Sequence, residues 1–177
     1  MIEIKTAKEA NTEILALLGT ITYVESHGHF IDNKMDLDEY IKDAFSVSKT
    51  RIDMNNQKNV FYIIYIDELP VGYAKLVLNS GHKNMTSKKS CKLERIYILQ
   101  HFIPLKIGQQ FLTFLEEIVS NQQLDMMWLS VYKENKRAIR FYQRNEYKEV
   151  GKSTFLVNGI GYENIVFEKK LIRKSTA

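Results

Sequence analysis

Residues 92–118, KLERIYILQHFIPLKIGQQFLTFLEEI, constrain the fold more than any other part of this 177-residue chain. The run of apolar and β-branched side chains at 92–99 predicts a strand. Residues 107–121 repeat apolar side chains at helical spacing and predict an amphipathic helix. A helix start offers unpaired N–H groups and the positive end of a dipole, so such junctions often hold phosphates. This junction is therefore either an anion site or only a connection.

Periodicity and turn residues predict the other elements. Residues 2–6 alternate as a strand, and residues 13–24, beginning near Thr12, form an apolar helix. A loop at 25–35 precedes a helix over 37–46 that Asp36 would cap, and a polar stretch at 51–59 follows. The remaining expectations are a hairpin at 60–79 turning on Asp-Glu-Leu-Pro, a loop at 80–90, a strand at 126–132, a helix at 135–147 with an Asn cap, and a hairpin at 148–171 turning on Asn158-Gly159.

This order, β α α β β β α β α β β, is typical of a mixed α/β (α+β) layer fold with helices packed on one sheet. The length and the lack of a linker, repeat or low-complexity segment predict one domain over residues 1–177. Neither G-x-G-x-x-G after the first strand nor a Gly-rich loop ending in Lys-Ser/Thr occurs, which excludes the doubly wound nucleotide-binding folds.

The composition, 45% hydrophobic and 26% charged, is that of an ordinary globular protein. No apolar run approaches the ~20 residues of a membrane helix. The first residues, MIEIKTAKEANTE, mix charges of both signs and lack an apolar signal region. We therefore expect a cytoplasmic protein that has no membrane partner.

Neither cysteine nor histidine predicts a metal site. Cys91 is the only cysteine, and we interpret it as a buried strand residue, since one thiol makes no internal disulfide or metal centre. His27 and His29 flank Gly28, but no third or fourth ligand with suitable spacing accompanies them. A loop role or a substrate contact suits them better.

The net charge of +4 is mild but unevenly distributed. Residues 25–43 hold six acidic side chains against two lysines, whereas residues 133–144 hold five basic side chains against one glutamate. The first region suits a cationic ligand and the second an anionic one, unless both are simply solvated helix faces. No basic surface interleaved with aromatic residues is evident, so nucleic acid is not expected as a partner.

The order of elements, with 93-LERIYILQHFIPLKIGQQFL-112 and 129-LSVYKENKRAIRFYQRNEYKEVG-151, resembles the GCN5-related N-acetyltransferase (GNAT) superfamily. The resemblance covers nearly the whole chain. It implies a mostly antiparallel central sheet of about seven strands flanked by about four helices. It also implies an enzyme that transfers acetyl from acetyl-CoA directly to an amine in a ternary complex.

The first segment departs from the family pattern, Gln/Arg-x-x-Gly-x-Gly/Ala, which falls on residues 103–108. Gly108 matches the last position, whereas Ile103 and Lys106 replace the Gln/Arg and the first Gly. Backbone N–H groups, which any residue except Pro provides, would still hold the pyrophosphate of CoA, and Lys106 could add a charge. The cofactor-binding residues implied here are Tyr97, Ile98, Ile103, Lys106, Ile107, Gly108 and Gln109, with the Ile98 backbone N–H polarising the acetyl carbonyl.

The second segment matches more closely, with Asn135, Ala138, Phe141 and Tyr142 in the family order. The resemblance implies that Asn135 bonds the pantetheine and that Arg137 contributes to cofactor binding. Tyr142 lies two helical turns after Asn135 and shares its face. By resemblance, its hydroxyl would sit near the CoA sulfur and protonate the departing thiolate.

A general base is also required, because a free amine is mostly protonated at neutral pH and must lose a proton to attack. Glu94, on the strand upstream of the acetyl position, is the candidate, acting directly or through water. An ordinary surface role for this glutamate is the alternative.

The N-terminal half resembles the bacterial spermidine/spermine branch of the family. Its two helices would form one wall of the acceptor pocket, and the acidic residues there fit a polyamine or another small cationic amine. The substrate contacts expected on that wall are Tyr23, Glu25, His27 and Tyr40, with Asp36 as a further candidate.

Two other functions stay open. Acetylation of a protein N-terminus or a lysine side chain would need an open groove instead of an acidic pocket. A non-catalytic module that binds CoA or senses polyamines would explain the altered loop at 103–108 but not the retained Asn135 and Tyr142. The oligomeric state is also open, a homodimer included.

Overall fold

The computed structural model describes residues 1–83, 87 and 89–171, and it contains seven strands and five α-helices in those ranges. The strands are β1 (Ile2–Thr6), β2 (Asn59–Ile66), β3 (Leu69–Val77), β4 (Ser90–Ile98), β5 (Met126–Tyr132), β6 (Lys148–Val157) and β7 (Ile160–Lys170). The helices are α1 (Thr12–His27), α2 (Lys34–Ala44), α3 (Val47–Asn55), α4 (Ile107–Asn121) and α5 (Lys136–Arg144). Short 3₁₀ turns span Glu9–Asn11, Gly28–Phe30 and Gln100–Leu105.

The strands form one sheet in the order β1-β2-β3-β4-β5-β7-β6. β1 runs antiparallel to β2, β5 to β7 and β6 to β7, whereas β4 and β5 are parallel. The predicted mixed, mostly antiparallel fold of seven strands is confirmed. The chain divides by contacts into two compact units, residues 1–76 with 95–113 and residues 77–94 with 114–177.

The core of the first unit is built on β2, β3 and α1. Residues 61–64 and 71–76 are buried without alternation, which shows that both faces of these strands are covered. Leu15 and Leu18 of α1 pack with Phe61, Ile63 and Tyr73. The unbroken apolar run of β2 is what this environment requires.

The second unit centres on β5 and its neighbours. Met127 and Leu129 of β5 are buried, as are Val166 and Phe167 of the antiparallel β7. Cys91 of β4, paired with Met127, is also fully buried, and burial raises the pKa of its thiol to about 12. The predicted structural role of Cys91 is confirmed.

Both predicted hairpins form. Asp67 and Glu68 have φ of 46° and 67°, and Asn158 and Gly159 have φ of 49° and 82°. Two successive positive φ angles characterise the two-residue turn whose twist matches that of the flanking strands. The first turn is shorter than predicted, because Leu69 and Pro70 already belong to β3.

The helices of the N-terminal half differ from the sequence prediction. α1 continues to His27, and Asn33 instead of Asp36 caps α2, accepting a hydrogen bond from the Met35 N–H at 2.9 Å. α3 overlaps the predicted polar stretch at 51–59 and is an additional α-helix within the described residues. This short helix lacks a clear apolar stripe, and its Asp53 is instead held by Lys49 at 2.7 Å and Lys75 at 2.8 Å.

Part of the predicted loop at 80–90 lies outside the described residues. In the ranges that are described, no helix combines the length and the apolar content needed to cross a bilayer. Those ranges also hold no group of three or more His, Cys, Asp or Glu side chains placed to bind a metal.

Candidate active site

The predicted site residues are divided between the two units. Those in the first unit are Tyr23, Glu25, His27, Asp36, Tyr40, Tyr97, Ile98, Ile103, Lys106, Ile107, Gly108 and Gln109. Those in the second unit are Glu94, Asn135, Arg137 and Tyr142.

The junction between β4 and α4 has a defined backbone. The Leu99 N–H donates to the Val71 carbonyl at 2.9 Å as β4 ends, and the chain then forms the 3₁₀ turn. The Lys106 N–H donates to the Ile103 carbonyl at 3.0 Å, and α4 begins at the next residue. The junction is therefore a tight turn and not an open loop.

Lys106 adopts φ 58° and ψ 18°, in the left-handed region. This conformation costs a residue with a Cβ about 1–2 kcal/mol and is the reason glycine is preferred there. The family pattern has its first glycine at this position, so the backbone shape of the pattern is retained although the residue is not. The Lys106 side chain is exposed and carries its charge beside the helix start.

The start of α4 can hold an anion. The Gln109 N–H already donates to the Lys106 carbonyl at 3.2 Å, while helix geometry leaves the Ile107 and Gly108 N–H groups without an intrahelical acceptor. The buried Ile107 side chain anchors this turn. A Cβ added at Gly108 would lie 3.5 Å from the Ile98 side chain, an ordinary contact, so protein packing does not require glycine there. The donors fit a pyrophosphate.

Gly72 of β3 is a residue that the sequence analysis missed. A Cβ at this position would overlap the Tyr97 carbonyl oxygen of β4 and crowd the Ile98 side chain. Gly72 therefore allows the close backbone approach that positions the end of β4. A glycine inside a strand pattern is a signal for such an approach.

Glu25 has a partner within the fold. Its carboxylate accepts a hydrogen bond from the Gln100 backbone N–H at 2.8 Å, across 75 positions of sequence. The carboxylate thus binds the first residue of the 3₁₀ turn that leads to α4. A contact between Glu25 and substrate stays a prediction, and the observed role is to position this turn.

Aromatic rings surround the end of α1. Tyr23 stacks on His27 with centroids 4.7 Å apart and contacts Tyr40 at 4.8 Å. The Tyr97 and His27 rings meet edge to face with centroids 5.7 Å apart, and burial raises the pKa of Tyr97 well above the usual value. The structure therefore brings together three of the four residues expected at the acceptor wall, along with Tyr97.

A separate groove of about 390 Å³ lies between the end of α1 and the start of α2. It is lined by Val24, Gly28, Ile31, Asp32, Lys34, Leu37 and Asp38. None of the predicted substrate residues lines this groove, and Asp36 is a half-buried residue of the first turn of α2.

In the second unit, Asn135 caps α5, as predicted. Its side-chain oxygen accepts from the Ala138 N–H at 3.1 Å, and its carbonyl accepts from the Ile139 N–H at 3.0 Å. The side-chain NH₂ group is not used by the cap and can donate to a ligand. Arg137, in the first turn, is exposed.

Tyr142 is 7% exposed, and burial raises the pKa of its phenol above the usual 10.0. The hydroxyl is thus protonated at neutral pH and can serve as a proton donor. The ring packs edge-on against Tyr147 at 5.5 Å. Tyr147 is fixed in turn, because its hydroxyl donates to Glu116 at 3.0 Å and Glu116 pairs with Lys169 at 2.8 Å. Tyr147 was not among the residues predicted for the site.

Glu94 lies on β4 with its side chain 28% exposed, 3.6 Å from the Lys92 ammonium. Lys92 also lies over the Trp128 ring at 5.3 Å. A partly exposed pair of this length contributes little to stability.

The sequence profile described as the acetyltransferase (GNAT) family matches residues 25–147. An uncharacterised N-acetyltransferase encoded in the pepI 3′ region of Lactobacillus delbrueckii subsp. lactis is 21% identical over 137 residues, which are 77% of this chain and 79% of that protein.

Two solved structures share the fold. The PaiA N-acetyltransferase from Thermoplasma acidophilum, in complex with coenzyme A, is 19% identical with a TM-score of 0.78, covering 96% of this chain and 99% of that chain. The ribosomal-protein-S18-alanine N-acetyltransferase from Escherichia coli is 10% identical with a TM-score of 0.68, covering 100% of this chain and 99% of that chain.

Proposed function

The chain belongs to the acetyltransferase (GNAT) family and uses acetyl-CoA, and from this premise we propose that it acetylates a small cationic amine. A polyamine is the acceptor we favour. The observation that carries this proposal is the acidic stretch at residues 25–43, where five of the six carboxylates are exposed and the sixth is half-buried. Carboxylates of this kind hold ammonium groups.

Acetyl-CoA supplies an activated acetyl thioester, and the chain supplies binding groups and proton transfer. We assign the pyrophosphate to the N–H groups at the start of α4 and to the Lys106 ammonium. Asn135 and Arg137 bind further along the cofactor, and the Ile98 N–H donates to the acetyl oxygen. The left-handed Lys106 backbone and the α5 cap support these assignments, because each holds its donors in one orientation.

The transfer requires two proton movements. As the neutral amine nitrogen attacks the carbonyl carbon and the carbon–sulfur bond breaks, the Tyr142 hydroxyl gives its proton to the departing thiolate. Glu94, directly or through a water molecule, takes the proton that the amine loses. The buried and protonated state of Tyr142 supports its part in this scheme.

The test is thiol release from acetyl-CoA in the presence of spermidine, spermine, small amino compounds or a lysine peptide. We expect turnover with the polyamines. If only the lysine peptide is acetylated, the acceptor is a protein and not a small cationic amine. Binding of acetyl-CoA without acetylation of any amine would favour a sensor, and failure to bind acetyl-CoA would refute the proposed enzyme.

Lys106→Gly tests the pyrophosphate assignment, because it should change affinity and stability in opposite directions. Loss of the ammonium should raise KM for acetyl-CoA about 2- to 10-fold. Glycine removes the cost of the left-handed backbone conformation, but it also has a larger conformational entropy in the unfolded chain. The net effect should be a rise of up to about 1 kcal/mol in the free energy of unfolding. Steady-state kinetics and urea unfolding measure the two effects.

Lys106→Arg is the matched control, since it keeps both the charge and the backbone cost. It should leave KM near the wild-type value. If Lys106→Gly also leaves KM unchanged, the pyrophosphate does not lie at Lys106.

A further inference from the structure

The hydrogen bonds of Ser26 assign the tautomer of His27. The Ser26 hydroxyl donates its single proton to the Thr22 carbonyl at 2.6 Å. The same oxygen lies 2.7 Å from His27 Nδ1, and since its own proton is used by Thr22, we assign it as the acceptor of the Nδ1 proton. A neutral imidazole that is protonated at Nδ1 carries its lone pair on Nε2. His27 therefore presents a hydrogen-bond acceptor at Nε2.

The surroundings of His27 keep the ring neutral. Burial, with a smaller contribution from the charge of His29, lowers its pKa to about 4. Stacking on Tyr23 one helical turn earlier fixes the plane of the imidazole. Within the part of the chain that the structure describes, no hydrogen-bond partner occupies Nε2. A fixed and neutral acceptor thus lies at the end of α1.

His27 lies beside the strand that we assign to the acetyl group. Its ring meets Tyr97 at 5.7 Å with an interplanar angle of 88°, and Tyr97 directly precedes Ile98 in β4. Glu25, two residues before His27, holds the Gln100 N–H just beyond the end of β4. The end of α1 and the end of β4 are therefore in contact at two points within the same unit.

We propose that His27 contacts the acetyl acceptor, with Nε2 accepting a hydrogen bond from an N–H of the amine that is acetylated. This inference rests on the proposed function, since it places the amine near the Ile98 end of β4. A neutral primary amine can donate one N–H to Nε2 while its lone pair stays available for attack. The contact selects substrates that carry an N–H group, because the Nε2 lone pair does not bind a group that lacks a proton to donate.

His27→Phe tests this contact, since phenylalanine keeps a flat ring to stack on Tyr23 and removes both nitrogens. We expect KM for spermidine to rise about 3- to 10-fold, the loss of one hydrogen bond, with KM for acetyl-CoA unchanged. The matched control is His29→Phe, the same change at an exposed histidine, which should leave both constants unchanged. A folded His27→Phe enzyme with unchanged KM for spermidine would overturn the inference.

A second measurement applies if His27→Phe does not fold. In wild-type protein with ¹⁵N-labelled histidine, the ring-nitrogen chemical shifts report which nitrogen is protonated. We expect an unprotonated Nε2 whose shift moves when CoA and spermidine are added together. A protonated Nε2, or a shift that does not respond, would contradict the contact.

The two proposals can fail separately. Wild-type protein that acetylates spermidine, combined with an unaffected His27→Phe variant, refutes the His27 contact alone. If the wild-type protein acetylates only the lysine peptide, that peptide replaces spermidine as the amine substrate in both the kinetic and the chemical-shift measurement. If it acetylates no amine, the proposed function fails and the His27 contact fails with it.

Discussion

Tyr142→Phe is expected to lower kcat about 10²- to 10⁴-fold while leaving KM for acetyl-CoA nearly unchanged. Phenylalanine fills the same buried space against Phe141 and Tyr147, so packing is kept and only the transferable proton is lost. Because burial holds the phenol pKa above 10.0, Tyr142 itself should not cause a fall in wild-type kcat below about pH 9. Thiol release across pH 6–9 measures both effects.

Tyr147→Phe is the matched control for Tyr142. It removes a hydroxyl five positions away, which donates to Glu116. We expect a loss of about 0.5–1.5 kcal/mol in the free energy of unfolding and a kcat within about threefold of wild type. The acid role is wrong if the Tyr142→Phe variant keeps the wild-type kcat when a better amine acceptor or a higher pH is used. In that case the leaving thiolate does not need the proton of the Tyr142 hydroxyl.

The largest effect on stability is expected at Asp53. Its carboxylate pairs with Lys75 at 2.8 Å, and the side chains are only 11% and 6% exposed. Asp53→Ala should lower the free energy of unfolding by about 3–5 kcal/mol, because it leaves the buried Lys75 ammonium without its carboxylate. Urea or thermal unfolding at pH 7 measures this loss.

The Asp53 pair also predicts how stability depends on pH. Burial alone would raise the Asp53 pKa, but hydrogen bonds and charge from Lys49 and Lys75 hold it below the usual 3.8. A carboxyl whose pKa is lower in the folded protein stabilises fully above its unfolded pKa and loses that contribution as pH falls through the folded value. The free energy of unfolding of the wild-type protein should therefore decrease as the pH falls below about 4. The Asp53→Ala variant should lack the contribution of Asp53 to this decrease.

Two variants separate the buried pair from ordinary surface charge. Lys49→Ala removes a partner that is 44% exposed, so its effect should be below about 1 kcal/mol. Combining Asp53→Leu with Lys75→Met replaces both charges with apolar groups and should recover most of the loss. If Asp53→Ala is as stable as wild type, Lys75 reaches solvent and is not trapped in the core.

The elements predicted correctly are those with strong local signals. Strands 2–6 and 126–132 were predicted with their observed limits, because residue alternation or a short apolar run defines each of them. The cap at Asn135 and the turn at Asn158-Gly159 were predicted from side chains that bond or bend the adjacent backbone. In these cases the signal that identifies the element lies within a few neighbouring residues.

The N-terminal helices were predicted less well, for a physical reason. α1 extends to His27, and ring contacts of Tyr23 with Tyr40 of α2 and of His27 with Tyr97 of β4 stabilise its end. α3 is held to β3 by the ion pair of Asp53 with Lys75, which lies 22 residues away in sequence. Neither stabilising contact is visible in the residues of the helix concerned.

The candidate site shows the same division. Sequence alone determined the order of the strands and of four helices, the family resemblance and the individual side chains Asn135, Tyr142 and His27 as candidates. Only the tertiary structure decided that Glu25 binds the Gln100 N–H, that Gly72 admits the end of β4, and that His27 lies against Tyr97. Local patterns act over a few residues, whereas these contacts join residues far apart in sequence, and they exist only once the strands and helices have packed.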